Sequence, residues 1–288
     1  MLTAASPARV DELEDVARRV RIEIIRASHA SGGGHLGGDL SSTDILVALF
    51  FEVLRIRPQE PTWDGRDRFV LSKGHAALAM YATMALRGYF DIAEMATFCE
   101  IGSRLQPHPD MTQLPGVDMS TGSLGLGISA AVGMALGARL GGRGQRVYAL
   151  AGDGECQEGS VWEAAYLAAQ HRLGNLTVIV DVNGLQQFGW AGSSPDQRLA
   201  PFNADDLAGR WSAFGWEVLR VDGNSMDKVV GTLREAQGIS QRPVAVIART
   251  VKGRGVPFME GQYLWHGKAP SDAEAAEALR ALGAETQS

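Results

Sequence analysis

Apolar residues at Val10, Leu13, Ala17, Val20 and Ile24 recur on one helical face behind Ser6-Pro7, a helix-starting pair. The pattern should stop at the glycines of SGGGHLGG. Residues 42–54 read as a second helix and DRFVLS as a short strand. Helices are expected at 75–87 and 91–100, the latter with Asp91 and Glu94 spaced as a capping box. After a long loop, GISAAVGMALGARL reads as a helix whose Gly and Ala content suits close packing on a neighbour. Strands and helices then alternate. RVYALAG, LTVIVDV, WEVLRV and PVAVIART are nearly continuous apolar runs, separated by SVWEAAYLAAQHR, ADDLAGRWSAFG and MDKVVGTLREAQ with helical patterning. Strands that apolar must be covered on both sides. The pattern predicts an α/β fold, a parallel sheet with helices on both faces. Trp162 and Tyr166 read most simply as core, and the Ala/Glu-rich stretch from about 271 as a terminal helix fraying into a tail.

Composition narrows the class. The chain has 288 residues, 45% of them hydrophobic, and a net charge of −6, which with no basic stripe excludes a nucleic-acid footprint. Two cysteines are too few for a disulfide framework or a Cys-built zinc site. The acidic, helical start is unlike a signal peptide, and no apolar run approaches the roughly 20 residues of a membrane span. A cytoplasmic enzyme without a membrane partner is expected.

The chemistry is concentrated in GDGECQEG, where Asp153 stands in a glycine turn between a strand and a helix. Such turns receive phosphates on bare backbone N–H groups, and a carboxylate there repels them. A dinucleotide fingerprint would need glycine where Gln157 stands. Asn183 directly follows the next strand, so both side chains can reach one crevice at the carboxyl ends of the strands. A hard cation, Mg²⁺ or Ca²⁺, resolves the conflict by taking oxygen ligands from the protein while bridging phosphate oxygens. The bland reading makes Asp153 a helix cap and Asn183 a turn residue.

GDG followed about 30 residues later by Asn resembles the thiamine diphosphate signature. DRFVLSKGHAALAMYA, GSRLQPHPDM, PGVDMSTGSLGLGISAAVGMAL, NGLQ and TVKGRGVPFMEGQYLWHGKAP, in order, resemble the N-terminal half of transketolase in its split-subunit form. The resemblance implies one thiamine diphosphate-binding domain over 1–288, with a helical N-terminal part at about 7–100 and a tail at about 271–288. It implies Asp153, Asn183 and the Leu185 carbonyl as metal ligands, with Gly154 against the diphosphate and His75 on its phosphates. Gly122 and Leu124 would pack under the aminopyrimidine, and Gln187 would lie near the thiazolium. Glu158 would link two active sites across a dimer interface. His35, His108 and His266 would hold sugar hydroxyls and shuttle protons, work suited to imidazole near neutral pH. A lone histidine in a glycine-rich loop is more often solvated or capping, and His29 and His171, outside the matched motifs, take that reading.

The activity implied is transfer of a two-carbon ketol unit from a ketose (phosphate) to an aldose, with the cofactor as electron sink. In this family the glutamate that activates the cofactor comes from a second, pyrimidine-binding domain, which nothing after Pro270 should encode. A C-terminal transketolase subunit in an α₂β₂ heteromer is therefore expected to supply it. Leu36, Leu126 and the pair Gln187-Phe188 depart from the usual family pattern. Other readings are transfer to a lipoyl group on a carrier, synthesis of deoxyxylulose phosphate, 2-keto acid oxidation, or a non-catalytic assembly subunit. WHGKAP and GSRLQPHPD favour sugars.

Overall fold

The computed structural model describes residues 6–187 and 203–284. Five parallel strands form one sheet in the order β1-β2-β3-β5-β4, with β1 Arg68–Leu71, β2 Val147–Gly152, β3 Leu176–Val182, β4 Glu217–Asp222 and β5 Val244–Arg249. Alternate residues of each strand feed two separate cores. Ala149, Val178, Val180 and Ile247 face α4 (Leu126–Leu140), α5 (Gly159–Gln170) and α6 (Ala204–Ala213). Tyr148, Leu150, Ile179 and Val246 face α1 (Pro7–Ser31), α2 (Leu36–Ala48), α3 (Ala77–Arg87), α7 (Met226–Gly238) and α8 (Asp272–Ala281). The β2–β3 crossover runs through α5 on one face, and the return step from β4 to β5 runs through α7 on the other. Steps in opposite directions along a sheet need opposite faces to keep one hand. The predicted α/β class is what the fold shows.

Helix α1 forms as its pattern requires. Ser6 accepts a hydrogen bond from Arg9 N, Pro7 occupies the first turn, and Gly32 ends it at φ +65°. Leu13, Ala17, Val20 and Ile24 are all buried.

Helix α2 departs from the sequence reading. It begins at Leu36 rather than 42, ends at Ala48, and passes into a π-helical turn, Leu49–Val53. Gly37 and Gly38 lie inside it, against their intrinsic preference. Packing overrides that preference, because a Cβ on Gly37 would sit 2.8 Å from Lys252 Cγ and 3.0 Å from the Trp265 carbonyl.

The segment expected at 91–100 is a 3₁₀ stretch, Ile92–Thr97. Asp91 caps Ala93 N, but no capping box forms, since Glu94 is held by a bidentate pair with Arg104 at 2.9 and 2.7 Å. The preceding residues 74–76 are also 3₁₀, so α3 starts at Ala77. In α4, Gly127 packs against Ser72, whereas Gly133 and Gly137 face open space. Trp162 packs on Trp211 and Phe214 as expected of core. Tyr166 does not: it is 63% exposed on the outer face of α5.

Candidate active site

The parallel register brings the tips of β2 and β3 side by side. Gly152 is paired with Asp181, and Asp153 N donates to the Asp181 carbonyl at 3.1 Å. Asp153 therefore stands beside Asn183, as the motif spacing predicts. Its Oδ1 accepts from Gly154 N at 2.8 Å and its Oδ2 from Gly184 N at 3.1 Å. Burial, then the neighbouring Asp181 charge, pushes the Asp153 carboxyl upward. The Asn183 amide spans Asp181 Oδ2 at 3.5 Å and Leu185 N at 3.2 Å.

Around these tips lies a cleft of about 440 Å³. It is lined by His35, His75, Gly122, Leu124, Asp153, Gly154, Glu158, Asn183, Leu185, Gln187 and His266, all of the expected site residues except His108. His108 is exposed, with its ring 6.2 Å from that of His35. The rings of His35, His75 and His266 lie 5.3–5.5 Å from one another, although they come from three separate loops. Phe188 lies outside the described residues.

Glycines shape the cradle. A Cβ on Gly38 would sit 3.4 Å from both His75 Nε2 and Lys73 Nζ, and one on Gly122 would reach His108 Cδ2 at 3.3 Å. Gly74 lets the β1 loop touch residues 121–122, where a Cβ would meet Thr121 Oγ1 at 2.7 Å.

Two lysines complete the site, and the motif reading assigned a role to neither. Of four lysines in the chain, Lys73 and Lys252 are buried in this cleft. Lys73 Nζ meets Asp181 at 2.5 Å, Ser42 Oγ at 3.0 Å and the Gly38 carbonyl at 3.2 Å. Burial alone raises the Asp181 carboxyl, but the Lys73 charge and the surrounding donors outweigh it and the net shift is downward. Lys252 Nζ donates to the Leu185 carbonyl at 3.2 Å and contacts His266 Nδ1 at 3.0 Å. Burial, aided by Lys73, brings Lys252 down to about 8. While Lys252 is charged it can only donate, so His266 accepts at Nδ1 and carries its proton on Nε2. Burial, followed by the Lys252 charge, brings His266 down to about 3. His35 is lowered by burial and by His108, and His75 falls well below the usual range through burial and Lys73. These three rings are neutral at neutral pH. Their place inside the matched segments SKGH and TVKG is the signal by which the sequence could have marked both.

Gln186 and Glu155 were missed as well. Gln186 is buried, hydrogen-bonds Asp153 and accepts from Gln157 Nε2 at 2.6 Å. Glu155 is buried in the turn after Asp153.

Among the described residues no three His, Cys, Asp or Glu side chains converge as a metal site. Asp153, Asn183 and Leu185 line the same cleft and offer it one carboxylate, one amide and one backbone carbonyl, the last of which accepts from Lys252. These hard oxygens suit a cation that completes its shell with phosphate and water oxygens. The glycine-lined cradle, with neutral imidazoles and buried ammonium groups, fits an anionic cofactor carrying flat rings.

A doubly covered parallel sheet with an acid and an amide at adjacent strand tips is the frame of an α/β protein that binds its ligand at the carboxyl ends of the strands. The chain belongs to the transketolase family: residues 13–288 match its thiamine diphosphate-binding domain. It is 37% identical to an apulose-4-phosphate transketolase subunit of Phocaeicola vulgatus, over 94% of both chains. It is 40% identical to the 6-deoxy-6-sulfo-D-fructose transketolase subunit SqwG of a Clostridium species, over 88% of this chain and 90% of that one. The transketolase of Campylobacter jejuni superposes with a TM-score of 0.83 at 28% identity, covering 99% of this chain and 44% of that longer one.

Proposed function

We propose that the chain is the diphosphate-binding subunit of a heteromeric transketolase that moves a two-carbon ketol unit from a ketose (phosphate) to an aldose. The observation that carries this reading is the meeting of Asp153 and Asn183 at neighbouring strand tips, beside three imidazoles drawn from separate loops. Thiamine diphosphate, when bound, supplies the electron sink for breaking the ketose C2–C3 bond. Asp153, Asn183 and the Leu185 carbonyl hold Mg²⁺ or Ca²⁺, and the Gly154 backbone lies against the diphosphate. His75 and the ammonium groups of Lys73 and Lys252 complement its negative charge. Gly122 and Leu124 bound the aminopyrimidine, and Gln187 borders the thiazolium.

His35, His108 and His266 bind the sugar hydroxyls and move their protons. A neutral imidazole serves this role because one ring nitrogen donates while the other accepts. The Nε2–H of His266, fixed by Lys252 at the opposite nitrogen, is the donor of that ring.

Glu158, exposed at the start of α5, is read as the link toward a second active site. The partner is a C-terminal transketolase subunit that brings the pyrimidine-binding domain and activating glutamate in an α₂β₂ assembly. Supporting this are the two relatives named as subunits. The exposed apolar residues Met111, Leu126 and Leu264, each within three residues of a site residue, also suit a covered mouth. The same relatives bear sugar names, which favours sugar substrates over the lipoyl carrier. Residues 1–288 are read as one domain. No helix among the described residues is long and apolar enough to cross a membrane, in keeping with a cytoplasmic enzyme.

The test mixes the chain with its co-encoded partner, thiamine diphosphate and Mg²⁺. Asp153→Ala should abolish Mg²⁺-dependent cofactor binding by calorimetry and ketol transfer from a panel of ketose phosphates. Full retention of both overturns the metal assignment.

A further inference from the structure

Glu155 follows the diphosphate turn by one residue and is 2% exposed, yet neither a cation nor a hydroxyl of substrate is needed to explain its burial. Its carboxylate is satisfied by three donors from three different loops. Oε1 accepts from Ser72 Oγ at 2.5 Å and from Gly125 N at 2.9 Å, and Oε2 accepts from Gly152 N at 3.1 Å. Ser72 begins the β1 loop that carries Lys73 and His75. Gly125 ends the loop that carries Gly122 and Leu124, and Gly152 begins the turn that carries Asp153 and Gly154.

The loop ends are held tightly enough for that carboxylate to set their spacing. Gly125 has φ +85°, and a Cβ there would lie 2.4 Å from Ser160 Oγ; a Cβ on Gly127 would lie 2.5 Å from Ser72 Oγ. The first turn of α4 is thus seated directly on the β1 loop, and Gly125 as its N-cap has no side chain to satisfy it. The carboxylate accepts the Gly125 N–H from across the cleft. Charge-assisted bonds from one anion to three donors are stronger and more directional than neutral ones.

We infer that Glu155 is a positioning residue that fixes the distance between the metal–diphosphate turn and the ring-side loop, so that both ends of one cofactor fit at once. The inference rests on the proposed thiamine diphosphate reading. It has a consequence that general loosening of the fold lacks: a ligand engaging only the diphosphate end should be nearly indifferent to Glu155. Gln at this position keeps the size but turns an amide N–H₂ toward backbone N–H or hydroxyl donors, so the tie opens at one of the three loops.

The experiment measures calorimetric binding of thiamine diphosphate and of inorganic pyrophosphate, each with Mg²⁺, to the complex of the chain with its partner subunit, wild type and Glu155→Gln. The variant should bind thiamine diphosphate at least 10-fold more weakly while its pyrophosphate affinity changes less than 3-fold. In the complex with the partner subunit, half-saturating cofactor should rise by a similar factor with kcat at saturation within 3-fold. Ser72→Ala, which removes one donor and leaves the other two, should shift the same ratio by about 3-fold and serves if the glutamine variant does not fold. Equal loss of both ligands, or loss of neither, overturns the inference. Asp153→Ala separates the two claims: if it loses both ligands while Glu155→Gln binds like wild type, only the role of Glu155 falls. A wild-type complex with the partner subunit that takes up pyrophosphate but not thiamine diphosphate sinks the functional reading itself.

Discussion

Asp39 offers the most quantitative test. It is fully buried in the first turn of α2, where Oδ1 accepts from Ala79 N at 3.0 Å and Oδ2 has no hydrogen-bond partner among the described residues. The bond joins the helix that follows His35 to the helix that follows His75. Burial raises the carboxyl from 3.8 to about 7, and neither the backbone donors nor Lys73, already engaged by Asp181, undoes this. A carboxyl whose folded pKa is raised binds its proton more tightly when folded. Its contribution is therefore intact below the unfolded value near 4 and declines as pH rises to about 7. At roughly 1.4 kcal/mol per unit, the folded state is disfavoured by about 1.5 kcal/mol at pH 5 and about 4 kcal/mol at pH 8. Asp39→Asn keeps the acceptor for Ala79 N and cannot ionise. Its buried amide N–H adds a penalty of about 1–3 kcal/mol, but that penalty does not vary with pH. The quantity to measure is thus a difference: relative to wild type, the variant should gain roughly 2.5 kcal/mol more stability at pH 8 than at pH 5. Urea denaturation of both proteins at the two pH values supplies it, since every other titrating group is common to both. A gain independent of pH would refute the reasoning and place the ionised carboxylate in a better-solvated setting than its burial indicates.

Other outcomes follow from the same geometry. Lys73→Met strands the Asp181 charge, and should lower stability by about 3–5 kcal/mol in denaturant titrations, far more than loss of an exposed pair. Gly37→Ala drives a methyl into the Lys252 stem and the Trp265 carbonyl; about 1–3 kcal/mol of destabilisation is expected, together with weaker cofactor binding in calorimetry. Gln187→Ile, at the exposed edge of the cleft, should change kcat and KM for ketose donors more than cofactor retention. An unchanged donor profile with unchanged rates would dismiss that role.

Much of this protein was legible from its chain, though unevenly. Long periodic segments such as 7–31 and 204–213 were read correctly because burial on one face, and a cap at the end, are local facts. The start of α2 was misread because two glycines signal a break locally, while the stem of Lys252, some 215 positions away in the sequence, demands that they have no side chain. Glu94 was misread because Arg104 competes for it. Tyr166 was assigned to the core from its apolar neighbours, but where α5 rests on the sheet leaves it outside.

By itself the sequence determined the alternation of strands and helices, the acid and amide at successive strand ends, and the loops that hold the histidines, because periodicity and motif spacing are properties of neighbours along the chain. Only the tertiary structure decided that Lys73, Lys252 and Glu155 converge on that cleft and that Asp181 pairs with Lys73 there. They are brought together by parallel pairing of β1, β2 and β3 and by α2 packing across the strand tips. A buried charge acquires its partners from the whole fold, so nothing in its own segment can announce which they are.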